Sequence, residues 1–283
     1  MVYWGHRLGS LLSRIFPLWL SYGICEVLSP LIFLAWVEKR RHAVENMRRV
    51  LGPNAELKAA RHLAVRSFVN YGKYLVDMMR LGQRPLDQEY QVEGWEHVQA
   101  AMDKGKGLIF IGGHIGNSDL GAALLAQQGY PVNVIAEPLS PPRWDRLVQQ
   151  ARAAAGLRVI PLGQAMMRSL RVLREHQILA FLIDRPMEEG VTVEFFGRKT
   201  TVPAGAAGLA LRSGAAIVGA YIVRQGDHYV AQIYPEIDPP DSTGDQEADL
   251  QELTQRLFSW LEQVIRSYPD QWFMFRRMWP TES

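Results

Sequence analysis

Residues 107–126 read GLIFIGGHIGNSDLGAALLA, and this stretch decides the fold. The apolar run Gly107–Ile111 is typical of a buried strand, and two glycines follow it. A polar cluster then precedes a helical pattern over Ser118–Gln127, where Asn117 or Ser118 can cap the helix. A strand, a glycine turn and a helix in this order indicate a sheet covered by helices.

The same alternation continues along the chain to its C-terminal part. Further strands are predicted at Val132–Ala136, Arg158–Pro161, Ile178–Ile183, Val191–Phe196, Ala216–Val223 and Tyr229–Ile233. Further helices are predicted at Trp95–Lys104, Pro142–Ala155, Gln164–Glu175, Ala204–Arg212 and Gln246–Ser267. The sequence therefore predicts the α/β class, with a mostly parallel or mixed central sheet flanked by helices.

An apolar segment, Ile15–Val37, precedes this region and is about as long as a bilayer span. Glu26 and two prolines interrupt it, which leaves open a spanning helix, a kinked or interfacial helix, and a buried core helix. The basic cluster at 38–41, with Arg7 and Arg14 before the segment, favours membrane association with the remainder on the cytoplasmic side.

Helical spacing then continues to Gly82, with a break at Pro53, and predicts a helical hairpin. We therefore divide the chain into an N-terminal membrane-associating helical region, residues 1–82, and an α/β domain, residues 83–283.

Composition excludes several classes of function. A net charge of +2 on 283 residues gives no sign of nucleic acid binding. A single cysteine excludes an internal disulfide framework and any multi-cysteine metal site, and it favours a reducing compartment.

His114 and Asp119 lie where the central strand ends and the helix begins. A histidine held by a carboxylate is a common general base near neutral pH. The turn can fold His114 back toward Asp119, and Gly113 and Gly116 leave room for a substrate. The chain has no Gly-x-Ser-x-Gly motif, so the base would act on a substrate group, most simply a hydroxyl. The alternative is a structural histidine beside a capping aspartate.

The H-x-x-x-x-D pattern resembles the lysophospholipid acyltransferase superfamily. Its surroundings resemble the bacterial lipid A late acyltransferases and their phosphatidylinositol mannoside acyltransferase relatives. The segments that carry this resemblance, besides the histidine motif, are NMRRVLG at 46–52, DR at 184–185, VEFFG at 193–197, PAGAAGLA at 203–210 and YPDQWFMFRR at 268–277.

The resemblance implies that His114 is the general base and Asp119 its partner in acyl transfer. The donor would be an acyl thioester of acyl carrier protein or coenzyme A, used as a co-substrate, with no cofactor and no metal. The acceptor would be the hydroxyl of a glycolipid such as a lipid A precursor, at the cytoplasmic face of a bacterial inner membrane. Lysophospholipid or phosphatidylinositol mannoside acylation is the alternative within the superfamily.

Several other residues are candidates for substrate binding, and each has a plainer reading. Arg185, beside Asp184, could hold a phosphate or simply form a salt bridge. Backbone amides at Gly205 could stabilise an oxyanion or merely begin a helix. The remaining candidates are Gly116 and Asn117 in the turn, Arg143 and Arg146 for an acidic carrier or the diphosphate of coenzyme A, and Glu194 for an acceptor hydroxyl.

Two other classes of function remain open from the residues alone. The same histidine and carboxylate could activate water in a thioesterase or another hydrolase. A non-catalytic lipid-binding protein would also use the apolar N-terminus. The aromatic and basic tail around Trp272, Arg276 and Trp279 is either a membrane-interface anchor or a packed C-terminal cap.

Overall fold

The computed structural model describes residues 16–81, 90–226 and 228–280. Its centre is a seven-stranded sheet made of β1 Tyr90–Glu93, β2 Leu108–Gly112, β3 Val132–Ala136, β4 Arg158–Pro161, β5 Ile178–Leu182, β8 Ala216–Gln225 and β9 His228–Glu236. The strands lie in the order β1-β9-β8-β2-β5-β3-β4. All neighbours are parallel except β8 and β9, which are antiparallel, so the predicted α/β class with a mixed sheet is confirmed.

Helices cover both faces of the sheet. In β2, Leu108 and Phe110 pack toward the helices Trp95–Asp103 and Ser118–Gln127, whereas Ile109 and Ile111 belong to the cluster that includes the helices Gly205–Ser213 and Gln246–Ser267. This alternation buries β2 completely, as expected of a central parallel strand. The helices of the described residues are α1 Leu18–Ala35, α2 Val37–Leu51, α3 Leu57–Arg80, α4 Trp95–Asp103, α5 Ser118–Gln127, α6 Pro142–Ala154, α7 Ala165–Arg174, α8 Gly205–Ser213 and α9 Gln246–Ser267.

The sheet differs from the prediction at two places. The predicted strand at Val191–Phe196 lies outside the central sheet, because β6 (Val191–Phe195) pairs with β7 (Arg198–Val202) in a separate antiparallel hairpin. Phe196 and Gly197 form its two-residue turn with φ values of 52° and 69°, the left-handed geometry that such turns require. Strands β1 and β7 were not predicted, since β1 is a mostly exposed edge strand with few apolar residues.

The predicted N-terminal apolar helix is confirmed as α1, and one side of it packs on α3. Tyr22 donates a 2.6 Å hydrogen bond to Asp77, and Lys73 pairs with Glu26 at 2.5 Å. Gly72 of α3 makes this approach possible, because a Cβ there would lie 2.8 Å from Ser29 Oγ. By length and composition α1 could cross a membrane, and few of its residues are buried inside the protein. Arg7, Arg14 and Ile15 lie outside the described residues, as does Gly82, where the helical spacing ends in the sequence.

Candidate active site

His114 lies just beyond the carboxyl end of β2, and its partner is Asp184. Nδ1 of His114 is 2.6 Å from one carboxylate oxygen of Asp184. The backbone N–H of His114 donates to the other oxygen at 2.8 Å. The expected pairing of His114 with Asp119 is therefore wrong in this structure, and Asp184 is not placed to bind a substrate, because it is fully buried.

The surroundings of Asp184 keep it ionised. Burial raises the pKa of its carboxyl group, but the charge of His114 and hydrogen bonds from His114 and Trp272 outweigh burial and hold the pKa below its ordinary value. A carboxylate only accepts hydrogen bonds, so Nδ1 of His114 carries the proton in this pair. In the neutral ring Nε2 is then the unprotonated nitrogen, which is the arrangement of a general base.

The C-terminal segment after α9 holds both members of this pair. The indole N–H of Trp272 donates to Asp184 at 2.8 Å, and the backbone N–H of Phe273 donates to the carbonyl of His114 at 2.7 Å. Ile115 forms an antiparallel bridge with Trp272. Trp272 and Trp279 are buried, so this part of the tail is a packed cap. Sequence reasoning singled out the segment but missed its contact with the histidine.

Asp119 is buried in a different set of contacts. Nε of Arg152 donates to it at 2.6 Å, and the hydroxyl of Tyr74 on α3 donates at 2.7 Å. Burial raises the pKa of Asp119, but the charge and hydrogen bonds of Arg152, with Tyr74 and His114, lower it below its ordinary value. Asp119 therefore holds Arg152 in place rather than the imidazole ring.

Gly116 and Asn117 shape the turn that follows His114. Gly116 has a φ of 61°, and a Cβ there would lie 1.8 Å from the carbonyl oxygen of Ile222, so only glycine fits. Asn117 is buried and caps α5 by accepting a hydrogen bond from the backbone N–H of Leu120 at 3.1 Å. Both positions fix the path of the chain directly after His114.

A cavity of about 250 Å³ opens beside the histidine. His114 lines it together with Arg152, which the sequence indicated only as one of several basic residues in the region of the helix at 142–158. Arg185 and Gly205 line it as well, so the structure brings these two candidates to the histidine. The cavity also includes Ala206, Glu137 and Arg276, and its other walls are mostly apolar.

Besides Gly116, Asn117 and Asp184, three further candidates lie outside this cavity lining: Arg143, Arg146 and Glu194. Arg143 and Arg146 are exposed on α6, on a different side of the helix from the buried Val148. Glu194 is exposed on β6, and its backbone, not its carboxylate, exchanges hydrogen bonds with the side chain of Gln255. The structure therefore gives Glu194 no contact with the histidine site.

A second, apolar cavity of about 90 Å³ lies between the sheet and α5. Gly112 and Gly113, the residues just before His114, contribute to its lining. The other walls are largely aliphatic or aromatic, among them Phe110, Ala122 and Ile222. Within the described ranges, no group of His, Cys, Asp and Glu side chains could hold a metal ion.

Comparison with known proteins identifies the family of this chain. The family described as bacterial lipid A biosynthesis acyltransferase matches residues 2–281. The chain belongs to this family. It is 31% identical over 243 residues to the phosphatidylinositol mannoside acyltransferase of Mycolicibacterium smegmatis, covering 83% of this chain and 77% of that protein. The protein of the same name from Mycobacterium tuberculosis is 30% identical over 246 residues, covering 83% of this chain and 75% of that protein. The chain is thus an acyltransferase of lipid metabolism.

Proposed function

We propose that this acyltransferase transfers a fatty acyl chain from a thioester to a hydroxyl group of a glycolipid. The observation that carries the proposal is the imidazole of His114, held by a buried carboxylate on one side and lining a cavity on the other. A base fixed in this way acts on a hydroxyl without forming a covalent intermediate with the protein.

The proposed reaction begins with Nε2 of His114 taking the proton of the acceptor hydroxyl. The oxygen attacks the carbonyl carbon of the thioester and forms a new C–O bond. The tetrahedral intermediate then collapses, the C–S bond breaks, and the proton on His114 passes to the leaving thiolate. Asp184 stabilises the imidazolium that exists between these two steps, because its carboxylate remains ionised beside Nδ1.

Two groups are suited to stabilise the oxyanion of the intermediate. Arg152 lines the cavity and is fixed by Asp119, so its charge is already oriented before the reaction. Gly205 and Ala206 begin α8 at the cavity wall, and the first N–H groups of a helix have no acceptor within the helix. Arg152 supplies positive charge, and the start of α8 supplies backbone N–H donors.

The names of the relatives suggest the first acceptor to test. Because two relatives are named phosphatidylinositol mannoside acyltransferase, we propose a sugar hydroxyl of a phosphatidylinositol mannoside, with a lipid A precursor as the second acceptor. The donor is proposed to be a thioester of coenzyme A or acyl carrier protein. The exposed Arg143 and Arg146 offer a basic face that an acidic carrier or a diphosphate could contact.

An acceptor-dependence assay tests this function. The purified protein is incubated with a palmitoyl thioester, with and without each acceptor, and thiol release and acylated lipid are measured. We expect thiol release to depend on the acceptor and to match acylated lipid in amount. Thiol release at the same rate without any acceptor would instead identify a thioesterase.

We further propose that α1 attaches the protein to a membrane surface, at the cytoplasmic face of the inner membrane. The exposed side of this helix carries large apolar residues, including Trp19, Val27 and Leu31, which are 73%, 66% and 56% exposed. The basic cluster at 38–41 follows directly, and basic residues beside an apolar face favour an anionic lipid surface. Since the opposite side packs on α3, an interfacial position fits better than an isolated span.

Replacing Val27 and Leu31 together with glutamate is expected to weaken vesicle binding by at least about tenfold, because charges enter the apolar face. Flotation with vesicles of phosphatidylcholine and phosphatidylglycerol measures the bound fraction. Leu57→Glu, at a residue that is 63% exposed at the start of α3, is the matched control and should bind as wild type. Unchanged flotation of the double variant would contradict the proposal.

A further inference from the structure

Three charged side chains share one wall of the active-site cavity. Arg185 forms an ion pair with Glu137, and Nη2 of Arg276 lies 3.8 Å from the same carboxylate oxygen. All three residues line the cavity to which His114 also contributes. They come from distant parts of the chain: the loop after β3, the loop after β5 and the C-terminal segment. We call these three residues the arginine cluster.

The cluster carries more positive than negative charge. One carboxylate is shared by two guanidinium groups, whereas Arg152 has a carboxylate partner of its own, Asp119. The cluster is also accessible, because the side chains of Arg185, Glu137 and Arg276 are 28%, 39% and 56% exposed. A dissolved or membrane-bound anion can therefore reach it without unfolding any part of the protein.

The backbone around Arg276 is held firmly. The buried side chain of Asn46 on α2 donates a 2.8 Å hydrogen bond to the carbonyl of Arg276 and another of 2.8 Å to that of Met274. Arg185 directly follows the buried Asp184. Both arginines are thus attached to fixed backbone positions, which lowers the entropic cost of closing two guanidinium groups around one ligand.

From this geometry we infer that the arginine cluster is a phosphate-binding subsite of the active site. A phosphate or phosphodiester group of a substrate binds to Arg185 and Arg276, because planar guanidinium groups match its oxygens in pairs. Glu137 occupies the place of the phosphate in the free protein and moves aside when the substrate binds. The subsite rests on the proposed function, since it positions the substrate whose hydroxyl or thioester reaches His114.

The phosphate can belong to either substrate. A phosphatidylinositol-based acceptor carries a phosphodiester between its lipid and its sugar, and a coenzyme A donor carries phosphates beyond its pantetheine arm. Two soluble probes separate these sources: glycerophosphoinositol represents the acceptor headgroup, and coenzyme A represents the donor. Because both probes lack an acyl chain, their binding is independent of acyl transfer.

The test is isothermal titration calorimetry of both probes with the full-length protein and four variants. We expect Arg185→Gln and Arg276→Gln each to weaken binding of one of the probes by about tenfold, the loss of one charge-assisted contact. Glu137→Gln should strengthen binding of the same probe, because it removes the competing carboxylate. Arg174→Gln, at an exposed arginine on α7 outside the cavity lining, is the matched control and should bind as wild type.

The direction of the Glu137→Gln effect decides between a subsite and a structural salt bridge. If the cluster only stabilises the fold, this variant lowers the thermal midpoint and does not strengthen binding of either probe, which overturns the inference. Failure of both probes to bind the wild-type protein also overturns it. A protein that binds a probe as expected but shows no acceptor-dependent transfer would instead contradict the proposed function and leave the subsite standing.

Discussion

Replacing His114 with alanine is expected to reduce acyl transfer by about 1,000-fold or more, because it removes the imidazole proposed to take the acceptor proton. The fold should survive, since the side chain of His114 is 24% exposed and the backbone hydrogen bond to Asp184 remains. The measurement is the rate of acylated lipid formation at saturating donor and acceptor, with circular dichroism to confirm folding.

His62→Ala provides the control for this experiment. His62 is an exposed histidine on α3 and does not line the cavity, so its variant should retain the wild-type rate. Acyl transfer at the wild-type rate by the His114→Ala protein would contradict the general-base mechanism. A raised KM with an unchanged kcat would show that His114 binds the substrate without taking its proton.

The sequence predicts where His114 lies, but it does not predict which carboxylate contacts the ring. The strand before His114 and the helix after it follow from local apolar patterns, and the structure agrees with both. Asp184 is 70 residues away in the chain, although it also follows a predicted apolar strand. Only the neighbouring position of β2 and β5, which local patterns do not encode, brings the two together.

The register of these strands explains the pairing in physical terms. Gly112 is opposite Leu182 in the parallel pair of β2 and β5. His114 and Asp184 each follow two residues later, so they leave the sheet at the same level and meet beyond its edge. Asp119, by contrast, is in the first turn of α5, where Arg152 and Tyr74 already surround it. The spacing within the motif therefore predicted a contact between His114 and Asp119, whereas the structure pairs His114 with Asp184.

The contact of Trp272 with the His114–Asp184 pair does not follow from the sequence, for a similar reason. Its aromatic and basic surroundings are equally compatible with an interface anchor and a packed cap. The deciding facts are the buried indole and its hydrogen bond to Asp184, which depend on how the C-terminal segment returns across the sheet edge. A pattern of residue types gives no information about such a return.

Two single variants, Asp184→Asn and Asp119→Asn, distinguish the roles of the two carboxylates. The first is expected to lower kcat by about 100- to 1,000-fold, because an amide that donates to Nδ1 leaves the proton on Nε2 and removes the base. The second alters the partner of Arg152 but leaves the pairing of His114 intact. Its loss of kcat should be smaller, and the dependence of kcat on pH should keep its wild-type form.

The acid stability of the Asp184→Asn variant gives an independent check. The pKa of Asp184 in the folded protein lies below the ordinary carboxyl value of 3.8, so the unfolded chain binds this proton first as the pH falls. Its contribution to stability is complete above that value and is lost as the pH falls through the folded pKa. Urea unfolding at neutral and acidic pH should therefore show a smaller acid-induced loss in the variant than in the wild type. An equal loss in both proteins, with kcat unchanged, would mean that the carboxylate supports neither the imidazolium nor the fold.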